Sequence, residues 1–68
     1  MLKSNQKALQ VFINGQWEYL FSRDAESNRI VTTKDRSKAQ AGTEEAIAYY
    51  QTHRNDLNYR IVKGDTNK

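Results

Sequence analysis

Val11-Phe12-Ile13-Asn14-Gly15-Gln16-Trp17-Glu18-Tyr19-Leu20-Phe21 is a pair of apolar runs around an Asn-Gly dipeptide, and its reading decides the fold. Asn and Gly accept the positive φ angles of a type I′ turn, whose twist matches that of the strands it joins. The stretch therefore reads as a tight β-hairpin. A two-residue loop sets the register: Ile13 opposes Gln16, Phe12 opposes Trp17, Val11 opposes Glu18, Gln10 opposes Tyr19 and Leu9 opposes Leu20. Because opposed residues share a face, one face carries Phe12, Trp17, Tyr19 and Phe21 and the other Leu9, Val11, Ile13 and Leu20. Pairs such as Phe12 with Trp17 are each worth a few tenths to about 1 kcal/mol in fixing that register.

Downstream, residues 23–28 are polar, rich in turn formers and free of large apolar side chains, which closes a second hairpin. Residues 29–34 hold the β-branched run Ile30-Val31-Thr32-Thr33 and form a third strand antiparallel to the second. Ser37 with Gln40 has capping-box spacing, but Gly42 disfavours a helix through this segment, so 34–42 reads as a connection with one irregular turn. The helix begins after Thr43 as N-cap, with Glu44 and Glu45 suited to the positive end of its dipole, and stops near Asn55. Ala46, Ile47, Tyr50 and the stem of Arg54 make its inward stripe, and Tyr49 and His53 meet on an adjacent face. Residues 57–62 alternate Leu57, Tyr59 and Ile61 with Asn58 and Arg60, the pattern of a last strand with one apolar face.

The fold class is therefore α+β: a small antiparallel sheet of three to four strands in the order β-β-β-α-β, with one helix on one face. The last strand fits beside either the first or the third. One domain spans 8–63, flanked by flexible tails over 1–7 and 64–68.

Sixty-eight residues without cysteine exclude a disulfide framework or a thiolate zinc site, so packing or dimerisation must hold the core. No apolar signal region or membrane-length run is present, consistent with a soluble, cytoplasmic protein. Gly15, Gly42 and Gly64 are too dispersed to cradle phosphates, and no nucleotide or nucleophile motif occurs. His53 has no His or Cys partner. Glu44 and Glu45 are about 100° apart around the helix, and Asp24 with Glu26 lack the oxygen spacing of a calcium loop. No catalytic residue, metal ligand, cofactor or small-molecule substrate is assigned, and the chain reads as non-enzymatic.

What remains is binding. One helix covers one face of the hairpin, so the other, carrying Phe12, Trp17, Tyr19 and Phe21 if the helix takes the aliphatic side, is the candidate contact surface for a protein partner or a second copy. The alternative is nucleic-acid binding by the sheet aromatics with Arg23, Arg29, Lys34, Arg36 and Lys38, in a chain of net charge +3. Three strands followed by a helix is also the element order of small sheet-type DNA-binding domains of recombinases, an analogy of order alone. Small size without catalytic residues fits, too, a phage or mobile-element accessory protein.

Overall fold

The computed structural model describes residues 2–3 and 5–63; the expected tail over 64–68 lies outside them. Four strands, β1 (Ala8–Ile13), β2 (Gln16–Arg23), β3 (Ile30–Thr33) and β4 (Asn58–Val62), form one antiparallel sheet in the order β3-β2-β1-β4. The helix α1 (Glu44–His53) precedes β4. Asn14 and Gly15 adopt φ of 56° and 80°, as a type I′ turn requires, and β1 pairs with β2 from Ile13↔Gln16 to Gln10↔Tyr19. The last strand lies beside the first, with Gln10 opposite Arg60 and Phe12 opposite Asn58.

The register departs from expectation at one place. Leu9 does not pair with Leu20. Phe21 is an extra residue in a bulge on β2, between the pairs Leu20↔Thr32 and Ser22↔Val31. A bulge bends its strand, and the backbone of Gln40 fills the opening: Leu9 N donates to Gln40 O at 2.9 Å and Gln40 N to Leu20 O at 2.8 Å. The Gln40 side chain also donates to Phe21 O at 2.6 Å. Residues 40–42 thereby extend along the start of β1, with Ala41 bridged to Ala8 and Gly42 N bonded to Lys7 O at 2.8 Å.

The helix packs on the aliphatic face. Leu9, Val11, Leu20, Ile30 and Tyr50 are buried together, with Ile13, Ala46, Ile47, Leu57, Tyr59 and Ile61 around them. Burying such side chains supplies most of the stability, at about 25 cal/mol per Å² of apolar surface removed from water. Thr43 caps α1 through its hydroxyl, which accepts from Ala46 N at 3.1 Å. The other end is closed by Tyr59, whose hydroxyl donates to Arg54 O at 2.9 Å and to Tyr50 O at 3.3 Å. Arg54 O has no partner further along the helix, whereas Tyr50 O also accepts from the Arg54 N–H at 2.7 Å.

Ser37 and Gln40 make no capping box. Instead Asp35 caps a 3-10 turn over Arg36–Lys38, its carboxylate accepting from the Ser37 N–H and hydroxyl. A second, smaller cluster lies on the opposite side of the sheet, where Leu2, Ala8 and Ala39 are buried with Tyr19 and Val62 against them. Leu2 falls within the expected 1–7 tail, yet it is 8% exposed and its N–H donates to Ser37 O at 2.9 Å.

Candidate binding face

Pairing places Gln10, Phe12, Trp17, Tyr19, Thr33, Asn58 and Arg60 on the side of the sheet away from α1. Across this open face Thr33, Tyr19, Gln10 and Arg60 form one row and Trp17, Phe12 and Asn58 another. Phe12 meets Trp17 edge-on at 5.3 Å between centroids and keeps 39% of its surface exposed. The opposed aromatic pair expected in the hairpin is therefore present. Trp17 and Tyr19 are half-buried, Tyr19 because it also packs against the Leu2 cluster. Phe21, 41% exposed, is displaced by its bulge to a recess of about 580 Å³ lined by Leu2, Gln6, Lys38, Ala39 and Gln40. The four aromatics named from the sequence thus split into a Phe12-Trp17-Tyr19 group and a separate Phe21.

Arg60 completes the first group. Its guanidinium lies 4.3 Å from the centroid of the Trp17 ring, and its Nε donates to Gln10 Oε1 at 2.8 Å. Neither Nη of Arg60 has a hydrogen-bond acceptor among the described residues. The guanidinium is thus held by its inner face and one edge, while its terminal donors stay free. Alternation along 57–62 places Arg60 with Asn58, away from the apolar residues, but only the pairing of β4 with β1 brings it to Trp17.

The five basic residues named from the sequence occupy several places. Arg23 is on the helix side, because the Phe21 bulge reverses the alternation and pairs it with buried Ile30. There its guanidinium donates to Asn28 Oδ1 at 2.9 Å and to the Tyr49 hydroxyl at 3.1 Å. Arg29 is exposed in the β2–β3 turn. Arg36 reaches back to the carbonyls of Lys3, at 3.1 Å, and Gln6. Lys38 borders the Phe21 recess, and Lys34 shares a shallow depression with Gln10, Trp17, Tyr19 and Thr33.

The carboxylates lie mostly elsewhere. Glu18 is the single acidic residue in any described strand, and it pairs with core Val11 on the helix side. It borders the Lys34 depression, but its oxygens accept from Thr32 and Gln16, both at 2.6 Å. Those bonds, Thr32 first, hold its carboxyl below its ordinary range. Asp24 and Glu26 sit in the β2–β3 turn, Glu44 and Glu45 in the first turn of α1, and Asp56 pairs with Arg54 at 2.9 Å. Asp35 caps the turn leading to Ala39 and is engaged by Ser37, whose hydrogen bonds hold its carboxyl low.

Tyr49 and His53 touch on the helix rim at 4.5 Å between centroids, as their spacing predicts. Among the described residues no group of three or more His, Cys, Asp and Glu is placed to hold a metal ion. No described helix is long and apolar enough to cross a membrane. Comparison of the chain with family models, curated proteins and solved structures finds no match.

Proposed function

We propose that this chain is a small, non-enzymatic binding module whose contact surface is the open sheet face built by the hairpin and extended by Arg60. One observation carries the reading. The helix packs on the aliphatic face and leaves Phe12 and Trp17, with the unspent donors of Arg60, on the side it does not cover. Apolar side chains exposed as a contiguous group, rather than singly, mark surfaces of interaction.

Two partner classes suit such a surface. A protein chain, whether a second copy or a different protein, would use Phe12 and Trp17 as anchors, since aromatic residues and Arg are enriched where interfaces are most buried. A nucleic acid would use the same rings for stacking and the cations for phosphate. The location of the surface is common to both.

A photo-crosslinking amino acid at position 12, compared with one at position 49 on the helix, tests that location independently of partner class. Adducts from position 12 and few or none from position 49 are the expected result in cells producing the chain. Equal yields from both positions, or none from either, would remove the open face as the contact surface.

A further inference from the structure

Resting on the open face as the contact surface, we infer that its occupant is a single-stranded nucleic acid, with Arg60 as the organising residue. Charge complementarity is the first argument. Arg60 and Lys34 flank Trp17 and Tyr19, no strand position on this face is acidic, and Glu18 at the border of the same depression has its oxygens engaged by Thr32 and Gln16. Lys38 lies in the segment that delivers Ala39 to Tyr19, where Arg36 is bonded to the Lys3 and Gln6 carbonyls and Asp35 is engaged by Ser37. Glu18 is on the helix side of β2, Asp24 and Glu26 lie in the β2–β3 turn and Glu44 and Glu45 in the first turn of α1, so none of these occupies a strand position of the open face.

The second argument is the state of Arg60. Stacked on Trp17 and anchored through Nε to Gln10, it presents its outer plane and both Nη groups. That geometry matches a base stacking on the guanidinium plane while a neighbouring phosphate takes the paired donors. Phe12, exposed beside Trp17, offers a second ring for the next base. Such stacking needs bases that are not already stacked in a duplex. The same surface suits a second copy less well, because an isologous contact centred on Arg60 would bring like charges together.

Binding is read by the anisotropy of fluorescein-labelled oligothymidylate and oligouridylate, with a duplex for comparison, while Trp17 emission is followed in parallel. Single strands are expected to bind more tightly than the duplex and to quench Trp17. With two phosphate contacts, affinity should fall roughly sevenfold between about 50 and 200 mM salt. Arg60→Gln and Phe12→Ala are each expected to weaken binding about tenfold, whereas Arg29→Gln, on the far turn, should change it by less than about twofold. Arg60→Lys should recover the salt dependence but not the full affinity, which separates charge from stacking. Far-ultraviolet circular dichroism of each variant checks that the fold is intact.

Absence of binding at low salt overturns the inference, as does binding that leaves Trp17 unquenched or that ignores Arg60→Gln. If position 12 crosslinks only to protein, or light scattering shows a dimer broken by Phe12→Ser, the inference falls while the open face stands as the contact surface. If position 12 forms no adducts, both fall.

Discussion

The side-chain amide of Asn28 donates a 2.9 Å hydrogen bond to the carbonyl of His53, tying the β2–β3 turn to the last turn of the helix. Asn28 is a hub. Its Oδ1 accepts from Arg23 at 2.9 Å, its carbonyl from Arg54 at 2.8 Å, and its own N–H donates to Asp24 O at 2.7 Å. It does this at φ 61°, a conformation that Asn tolerates better than most residues.

Two substitutions separate these contributions. Asn28→Gly keeps the backbone conformation and loses the amide bonds, at an expected cost of about 1–3 kcal/mol. Asn28→Ala should cost about 1–2 kcal/mol more, because Ala pays for the left-handed backbone. Urea denaturation of both variants measures the difference. Equal midpoints would show that the turn relaxes out of that conformation when the amide is removed.

Gly42 is held by close approach rather than by φ. A Cβ at this position would lie 2.8 Å from Ala8 O, 2.9 Å from Ala8 C and 2.9 Å from the Ile61 side chain. Two of those atoms are backbone and cannot swing aside. Gly42→Ala is expected to destabilise the fold by about 1–3 kcal/mol through overpacking, despite the usual gain from a less flexible unfolded chain. Proton exchange of the Leu9 and Gly42 amides should accelerate in the variant, since the 40–42 segment that bonds both would be pushed off β1.

Much of this architecture is written locally. Asn14-Gly15 specifies its turn and, through it, the pairing down to Gln10↔Tyr19; Thr43 specifies the helix start; the Ala46-Ile47-Tyr50 stripe specifies the inward side of the helix. What is not local is not legible. The bulge at Phe21 has no composition signal, yet it sends Arg23 to the helix side and opens the gap that Gln40 fills. Leu2 looks like part of a polar tail because its partner, Ala39, is far along the chain. Arg60 meets Gln10 and Trp17 only because β4 adds next to β1, a choice that strand patterns leave open. The candidate face was therefore readable as aromatic, but not as aromatic with a stacked guanidinium.

Trp17 is the only tryptophan, so its emission reports on the open face alone. With Arg60 stacked on it and Lys34 across the same depression, an anionic quencher should reach it more often than a cationic one. Iodide is expected to quench more strongly than caesium at low ionic strength, with the difference shrinking as salt is added. Arg60→Gln should raise the accessibility of the ring and reduce the preference for iodide together. Stronger quenching by caesium would contradict the positive potential assigned to this face.

The response to pH follows from two sets of groups moving in opposite directions. Hydrogen bonds hold the carboxyls of Glu18, Asp24, Asp35 and Asp56 below their ordinary values, chiefly through Thr32, the Glu26 backbone, Ser37 and Arg54 respectively. Their stabilisation is complete above the ordinary values of 4.5 for Glu and 3.8 for Asp and is lost as pH falls through the lower folded values. Burial raises the phenols of Tyr50 and Tyr59 above 10.0, so their contribution is complete below that value and is lost as pH rises through the folded ones. The urea midpoint should therefore be nearly flat between about pH 6 and 9 and fall on both sides. On the alkaline side ionised Tyr59 can no longer donate to the Arg54 and Tyr50 carbonyls, so the helix C-terminus should be the first element to lose amide protection. Tyr59→Phe should be less stable at neutral pH and show a shallower alkaline fall; an unchanged alkaline slope would assign that limb to Tyr50 instead.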